Sequence, residues 1–288
     1  MSERQVLSEL PAQLLAHGVL SIAALARRLN RLTDQTINGL EGLLAHGLRS
    51  DEREALTLAL NRRNGHGLEP RRALFDWERR LFADELPKPP ARILLGGAGD
   101  GAEALPLRAA GYEVHAFEPA EGCLPPLRAA VGPCGSASVL CYQDLIEAPA
   151  ERARAEAAAR LAARRYDAVL LGWGSLNHVL EPDTRLELMR VLARLCSDGP
   201  ILLSFVLTRE SEPERRSRAF ELGARAGEWL ARMRSLPQPT AAERERFWAH
   251  AGFVHLFSER ELNELAEAAG RELVLHDGPY AHAAFRRA

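Results

Sequence analysis

At 288 residues and 31.7 kDa the chain can bury a substantial core, as one large domain or a moderate domain with an appendage. With 47% hydrophobic and 26% charged residues, 22 Gly and 17 Pro, it falls outside the disordered, collagen-like and disulfide-framework classes. Thirty-seven basic against 39 acidic side chains, a net charge of -2, leave no global positive field for a nucleic acid or an anionic membrane. Lys88 is the only lysine, which argues against Schiff-base and P-loop chemistry. Cys123, Cys134, Cys141 and Cys196 lack metal-ligand spacing, so no zinc site and no disulfide framework is expected. The charged start of the chain does not read as a signal peptide, and no apolar run reaches membrane-spanning length, so a cytoplasmic setting is expected.

In chain order, Ser21 can cap a helix with Ile22, Leu25 and Leu29 on one face. Asp34 can cap a second with Ile37, Leu40, Leu43 and Leu44 inward and Gly47 at its end. Arg71, Arg72, Trp77, Arg79 and Arg80 suit a further amphipathic helix. The proline cluster at Pro87, Pro89 and Pro90 separates this helical region, residues 1–90, from an alternating part, residues 91–288. There, apolar runs at 92–95, 112–117, 138–142, 167–171 and 200–206 alternate with helical stretches, one of them carrying Leu186, Met189, Leu192 and Leu195. Strands alternating with helices predict an α/β fold with a doubly wound, mostly parallel sheet. Residues 209–257 turn polar and arginine-rich around Phe220, Leu222, Trp229 and Leu230, and are expected to form a helical insertion roofing a pocket. Ser258 and Glu261 form a capping box, and 272–276 with 280–285 read as an antiparallel hairpin about Asp277-Gly278-Pro279.

The sharpest chemical signal is Gly97-Ala98-Gly99-Asp100-Gly101, directly after the first strand of the sheet and before a helix. Glycines there let the backbone turn tightly and lie against a bound nucleotide. Glu118 ends the second strand, where a carboxylate can accept both ribose hydroxyls of an adenosine. With Gln143-Asp144-Leu145 after the third strand and Gly172-Trp173-Gly174-Ser175-Leu176-Asn177-His178 after the fourth, residues 91–288 resemble the class I S-adenosylmethionine-dependent methyltransferases, which have a Rossmann-like seven-stranded sheet closed by an antiparallel hairpin. The resemblance implies S-adenosylmethionine as cofactor, its methionine part on Gly97, Gly99 and Gly101, its ribose on Glu118, its adenine amino group at Asp144, and Trp173 in contact near the sulfonium. Many members carry an acid two positions before the first glycine; here that position is Leu95.

The expected reaction is in-line methyl transfer to a small molecule or peptide-like natural product, for which a general base is optional; the candidates for one are His178 and His255. The loop after the fourth strand lacks the tetrad of amino-methylating DNA enzymes and the Pro-Cys pair of cytosine-C5 enzymes, and Gly172 or Trp173 stands where metal-dependent catechol-type relatives have Asp. Neither nucleic acid nor metal is therefore expected. The N-terminal helices resemble weakly the lid or dimerisation region of small-molecule O-methyltransferases, which implies a homodimer. Two other readings of the same residues are a catalytically silent cofactor-binding or scaffold protein and, because Gly97 to Ala102 also satisfies the dinucleotide fingerprint, an NAD(P)-dependent oxidoreductase.

Overall fold

The computed structural model describes residues 30, 32–64, 73–208, 217–236, 245–248 and 251–287. Its contacts divide the chain into two units, residues 1–48 with 214–238 and residues 49–213 with 239–288.

The smaller unit is described for two helices, α1 (residues 32–47) and α9 (Arg218–Met233). They approach closely because glycines face each other: a Cβ on Gly42 would lie 2.2 Å from the Phe220 carbonyl oxygen, and one on Gly223 1.9 Å from that of Gly39. Ser217 caps α9 by accepting the Phe220 N–H. Asp34 lies inside α1 instead of capping it, and Leu40, expected inward, is exposed. The helix expected from Ser21 lies outside the described residues over 21–29.

The larger unit opens with α2 (Ser50–Asn64) and α3 (Asp76–Glu85) and continues as the expected sheet. Its strands are β1 (Arg92–Gly96), β2 (Glu113–Phe117), β3 (Ser136–Ser138), β4 (Ala168–Leu171), β5 (Ile201–Phe205), β8 (Glu272–His276) and β9 (Ala281–Arg286), in the spatial order β3-β2-β1-β4-β5-β9-β8. β1 to β5 run parallel; β9 is antiparallel to both β5 and β8. Helices α4 (Ala104–Ala109), α5 (Leu124–Val131), α6 (Gln143–Ile146), α7 (Arg152–Ala162), α8 (Pro182–Leu195) and α10 (Glu259–Ala268) connect the strands. Alternation along β1 sends Leu94 into a core with α8 and α10, and Ile93 and Leu95 into one with α3, α4 and α5, so both faces of the sheet are covered. Ser258 and Glu261 form the expected capping box on α10.

Two expectations need correction. The third strand stops at Ser138, short of 142, because the Asp144 carboxylate accepts the Cys141 N–H at 2.8 Å and Tyr142 already has helical dihedrals leading into α6. The insertion is not helical throughout: β6 (Glu245–Trp248) and β7 (Gly252–His255) form an antiparallel hairpin in which Phe247 opposes Phe253. Phe247, Trp248, Phe253 and Val254, aromatic or β-branched, favour strands there. Among the described residues no helix is long and apolar enough to cross a membrane.

Candidate functional site

The strand order reverses between β1 and β4, so the loops leaving their carboxyl ends diverge and open a crevice. A cleft of about 560 Å³ occupies that place in the larger unit, lined by the loops after β1, β2, β3 and β4 and, on the remaining side, by α2. It falls in the size range of cofactor and small-ligand pockets.

The glycine loop forms one wall. Gly97 has φ +64°, and a Cβ there would lie 2.4 Å from that of Ser175; Gly99 has φ +53° and open space where a side chain would project. A backbone surface is thus left bare toward the cleft, as close approach of a cofactor requires. Gly97 and Gly99 line the cleft; Gly101, φ +95°, packs instead against Ala130 and Leu127. The loop is braced from β4: Gly172 donates its N–H to the Gly96 carbonyl at 2.7 Å, and Ser175 Oγ and Tyr142 Oη lie 2.6 Å apart.

Glu118 leaves the end of β2 into the cleft. Its Oε2 accepts the Gly99 N–H at 2.9 Å and its Oε1 the Ala120 N–H at 3.0 Å. Burial pushes its pKa up, against the two N–H groups that favour the ionised form. Each oxygen keeps a second lone pair for a ribose hydroxyl. Beside it, burial pushes the Cys123 thiol up to about 11, so this cysteine faces the cleft as a neutral thiol. Asp144 is directed elsewhere: its Oδ2 accepts from the Cys141 N–H and pairs with Arg154. The adjacent Gln143 lines the cleft in its stead. The bare loop, the acceptor-rich Glu118 and the cleft volume together fit an adenosyl cofactor.

His178 ends the short turn Ser175–His178 and lines the cleft. Its Nδ1 lies 3.0 Å from the Phe253 carbonyl oxygen, which can only accept, so Nδ1 carries the proton and the neutral ring holds its free lone pair on Nε2. Burial lowers its pKa below the ordinary histidine value, outweighing that carbonyl. His255 is placed differently: it is buried on β7, its Nε2 is 3.1 Å from Glu261 Oε1, its carbonyl accepts from Asn177 Nδ2 at 2.6 Å, and it is absent from the lining. Trp173 lines the cleft, with its ring centroid 5.7 Å from those of both Phe75 and Tyr280.

The wall that sequence reasoning missed is α2. Glu54, Leu58 and Asn61, at helical spacing, line the cleft with Asp51, Ala55 and Thr57. Two buried anchors hold the helix: Arg53 pairs with Glu245 of β6 at 2.9 Å, and Thr57 Oγ1 accepts the Phe253 N–H at 2.8 Å. Burial pushes Glu245 up to about 7, overcoming the pull of Arg53. Glu54 Oε1 accepts the Leu180 N–H at 2.8 Å ahead of α8. Among the described residues no group of three or more His, Cys, Asp or Glu could hold a metal ion.

A family model described as a methyltransferase domain matches residues 66–276. No curated protein matches the chain in sequence. Among solved structures it is similar to the 1,6-didemethyltoxoflavin-N1-methyltransferase of Burkholderia thailandensis, at 18% identity over 82% of this chain and 83% of that one, TM-score 0.45. It is also similar to the CcbJ methyltransferase of Streptomyces caelestis, at 17% identity over 88% and 99%, TM-score 0.47. A Rhodobacter sphaeroides protein assigned to the Zn-dependent alcohol dehydrogenases shares the fold at 14% identity over 82% and 98%, TM-score 0.51.

Proposed function

The chain belongs to the methyltransferase-domain family, and from that premise we propose that it carries a methyl group from S-adenosylmethionine to a small-molecule or peptide-like acceptor by in-line displacement, with His178 as general base. The observation that carries this reading is that the bare backbone of Gly97 and Gly99, the Glu118 carboxylate and the His178 ring all open onto one cleft.

When bound, S-adenosylmethionine supplies a methyl group already activated on a sulfonium, so alignment and exclusion of water are what the protein must add. Glu118 accepts the two ribose hydroxyls while its bonds to Gly99 and Ala120 hold the carboxylate in place. Gln143 can accept from the adenine amino group, and Asp144, which the family pattern implicates, shapes the turn that presents it. Gly101 closes the loop by packing on α5. Trp173, in the same lining, would offer its ring to the sulfonium. His178 Nε2 would take the proton of the acceptor, and its Nδ1 is held by the Phe253 carbonyl; the His255 carbonyl positions it indirectly, by holding Asn177 of the same turn.

We read the setting as cytoplasmic and the N-terminal helices as a homodimer contact, which the exposed Leu32 and Leu40 of α1 support, as do Leu222, Trp229 and Met233 exposed on α9 beside it. The test of function is transfer of isotopically labelled methyl from S-adenosylmethionine to a panel of small molecules and peptides, read by mass spectrometry. Labelled product that disappears in His178→Gln supports the proposal. Tight cofactor binding with no transfer to any acceptor would favour the catalytically silent reading.

A further inference from the structure

The cleft has a charge sign. Its described lining carries three ionisable carboxylates, Asp51, Glu54 and Glu118, and neither Arg nor Lys, in a chain with almost as many basic as acidic side chains. Glu118 is occupied with the glycine loop and the expected ribose, and the exposed Asp51 already pairs with Arg49 at 2.6 Å. Glu54 is different. It is half-buried, and both of its hydrogen bonds, from the Leu180 N–H at 2.8 Å and the Glu181 N–H at 3.4 Å, go to Oε1. Oε2 makes no hydrogen bond or ion pair among the described residues.

Burial raises the Glu54 pKa, and the repulsion of Glu181 adds to that. The guanidinium of Arg185 attracts it from a distance but is committed to the Val179 and Leu180 carbonyls at 2.8 and 2.7 Å, and does not line the cleft. A partly desolvated carboxylate in the lining of a ligand cavity, with one oxygen that makes no bond among the described residues, is completed by a cation or a strong N–H donor. An anionic acceptor entering the same space would meet the carboxylate of Glu54 and no arginine or lysine of the described lining.

Resting on the methyltransferase reading above, we propose that Glu54 Oε2 is the anchor for a positively charged nitrogen of the acceptor, so that the substrate class is an amine-bearing small molecule and not a carboxylic acid or a phosphate ester. Glu54 then selects and positions the acceptor from α2, while His178 faces it from the turn after β4.

The experiment uses the full-length protein saturated with S-adenosylhomocysteine and three probes of nearly equal shape, benzylamine, benzyl alcohol and benzoate, titrated by ligand-observed NMR at neutral pH. Benzylamine is expected to bind at least tenfold tighter than benzyl alcohol, with benzoate weakest. Glu54→Gln keeps a carbonyl oxygen for the Leu180 N–H and is expected to bring benzylamine within about twofold of benzyl alcohol while S-adenosylhomocysteine affinity is unchanged. In the unaltered protein the amine preference should shrink as salt is raised, a readout that needs no variant. Equal binding of amine and alcohol, tighter binding of benzoate, absence of amine binding, or a preference that survives Glu54→Gln would each overturn the proposal. If S-adenosylhomocysteine itself fails to bind, the methyltransferase reading fails separately, and the same three probes on the unloaded protein still decide the role of Glu54.

Discussion

Replacing Glu118 by alanine is the perturbation whose magnitude follows most directly from the geometry. Each carboxylate oxygen accepts one backbone N–H, at 2.9 Å from Gly99 and 3.0 Å from Ala120, and each keeps a second lone pair for a ribose hydroxyl. Alanine removes both ribose acceptors and also releases the Gly99 N–H, loosening the loop that carries the bare backbone. Hydrogen bonds to charged groups contribute about 1.5–3 kcal/mol each, and partial replacement by water reduces the net loss to about 1–3 kcal/mol. At 1.4 kcal/mol per decade this is about a 5- to 150-fold weaker dissociation constant. Glutamine, keeping one carbonyl oxygen but presenting an amide N–H where the second acceptor stood, should fall between wild type and alanine. The assay is isothermal titration with S-adenosylhomocysteine, with thermal denaturation alongside to confirm that each variant folds. An unchanged dissociation constant for a folded Glu118→Ala protein would refute the ribose assignment and the use of this cleft for adenosine.

Turnover should fall on an acid limb whose midpoint lies below the ordinary histidine pKa, because burial favours neutral His178 and only that form accepts a proton on Nε2; a kcat profile that keeps this limb in His178→Gln would assign it to another group. Gln143→Ala should weaken S-adenosylhomocysteine binding by roughly 3- to 10-fold with little change in thermal stability, whereas Asp144→Ala should mainly lower stability by removing the Cys141 and Arg154 partner; calorimetry and thermal melts on the pair would show the reverse if Asp144 is the adenine ligand. Arg53→Ala strips a fully buried carboxylate of its partner and should cost about 3–5 kcal/mol, lowering Tm on the order of 10 °C. Burial pushes Glu245 up to about 7 in the folded protein, above its unfolded value, so its contribution to stability is complete below the unfolded value and is lost as pH rises through the folded one. Glu245→Gln, which cannot ionise, should therefore gain on wild type in chemical denaturation between pH 5 and 7.5, and a pH-independent difference would contradict the raised value.

What the sequence made legible were features fixed by local chemistry. The glycine loop announced itself because positive φ at Gly97 and Gly99 excludes side chains. Glu118 was found because one strand, loop and helix place an acid at a set distance beyond the loop, and Ser258 with Glu261 because a capping box spans only four residues. What stayed hidden depends on distant partners. α2 mixes Arg53, Glu54, Thr57 and Asn61 with few apolar residues, so no hydrophobic stripe marks which face is inward. Its place is set by Glu245, 192 positions away, and by the Leu180 N–H, 126 away. Gln143 and Asp144 are neighbours with different tasks, and only the capping bond to Cys141 shows which one turns from the cleft. His178 and His255 looked equivalent until Glu261 was seen to hold the second in a buried pair. The hairpin of β6 and β7 escaped notice because its charged flanks resemble those of a solvated helix.

The most direct test of the central claim needs no knowledge of the acceptor: isothermal titration of the purified full-length protein with S-adenosylhomocysteine, with NAD and NADP titrated in parallel. The cleft built on Gly97, Gly99 and Glu118 predicts saturable binding of S-adenosylhomocysteine in the micromolar range, about -8 kcal/mol, and none of either dinucleotide. Binding of NAD or NADP in its place, or of no adenosyl ligand at all, would contradict it.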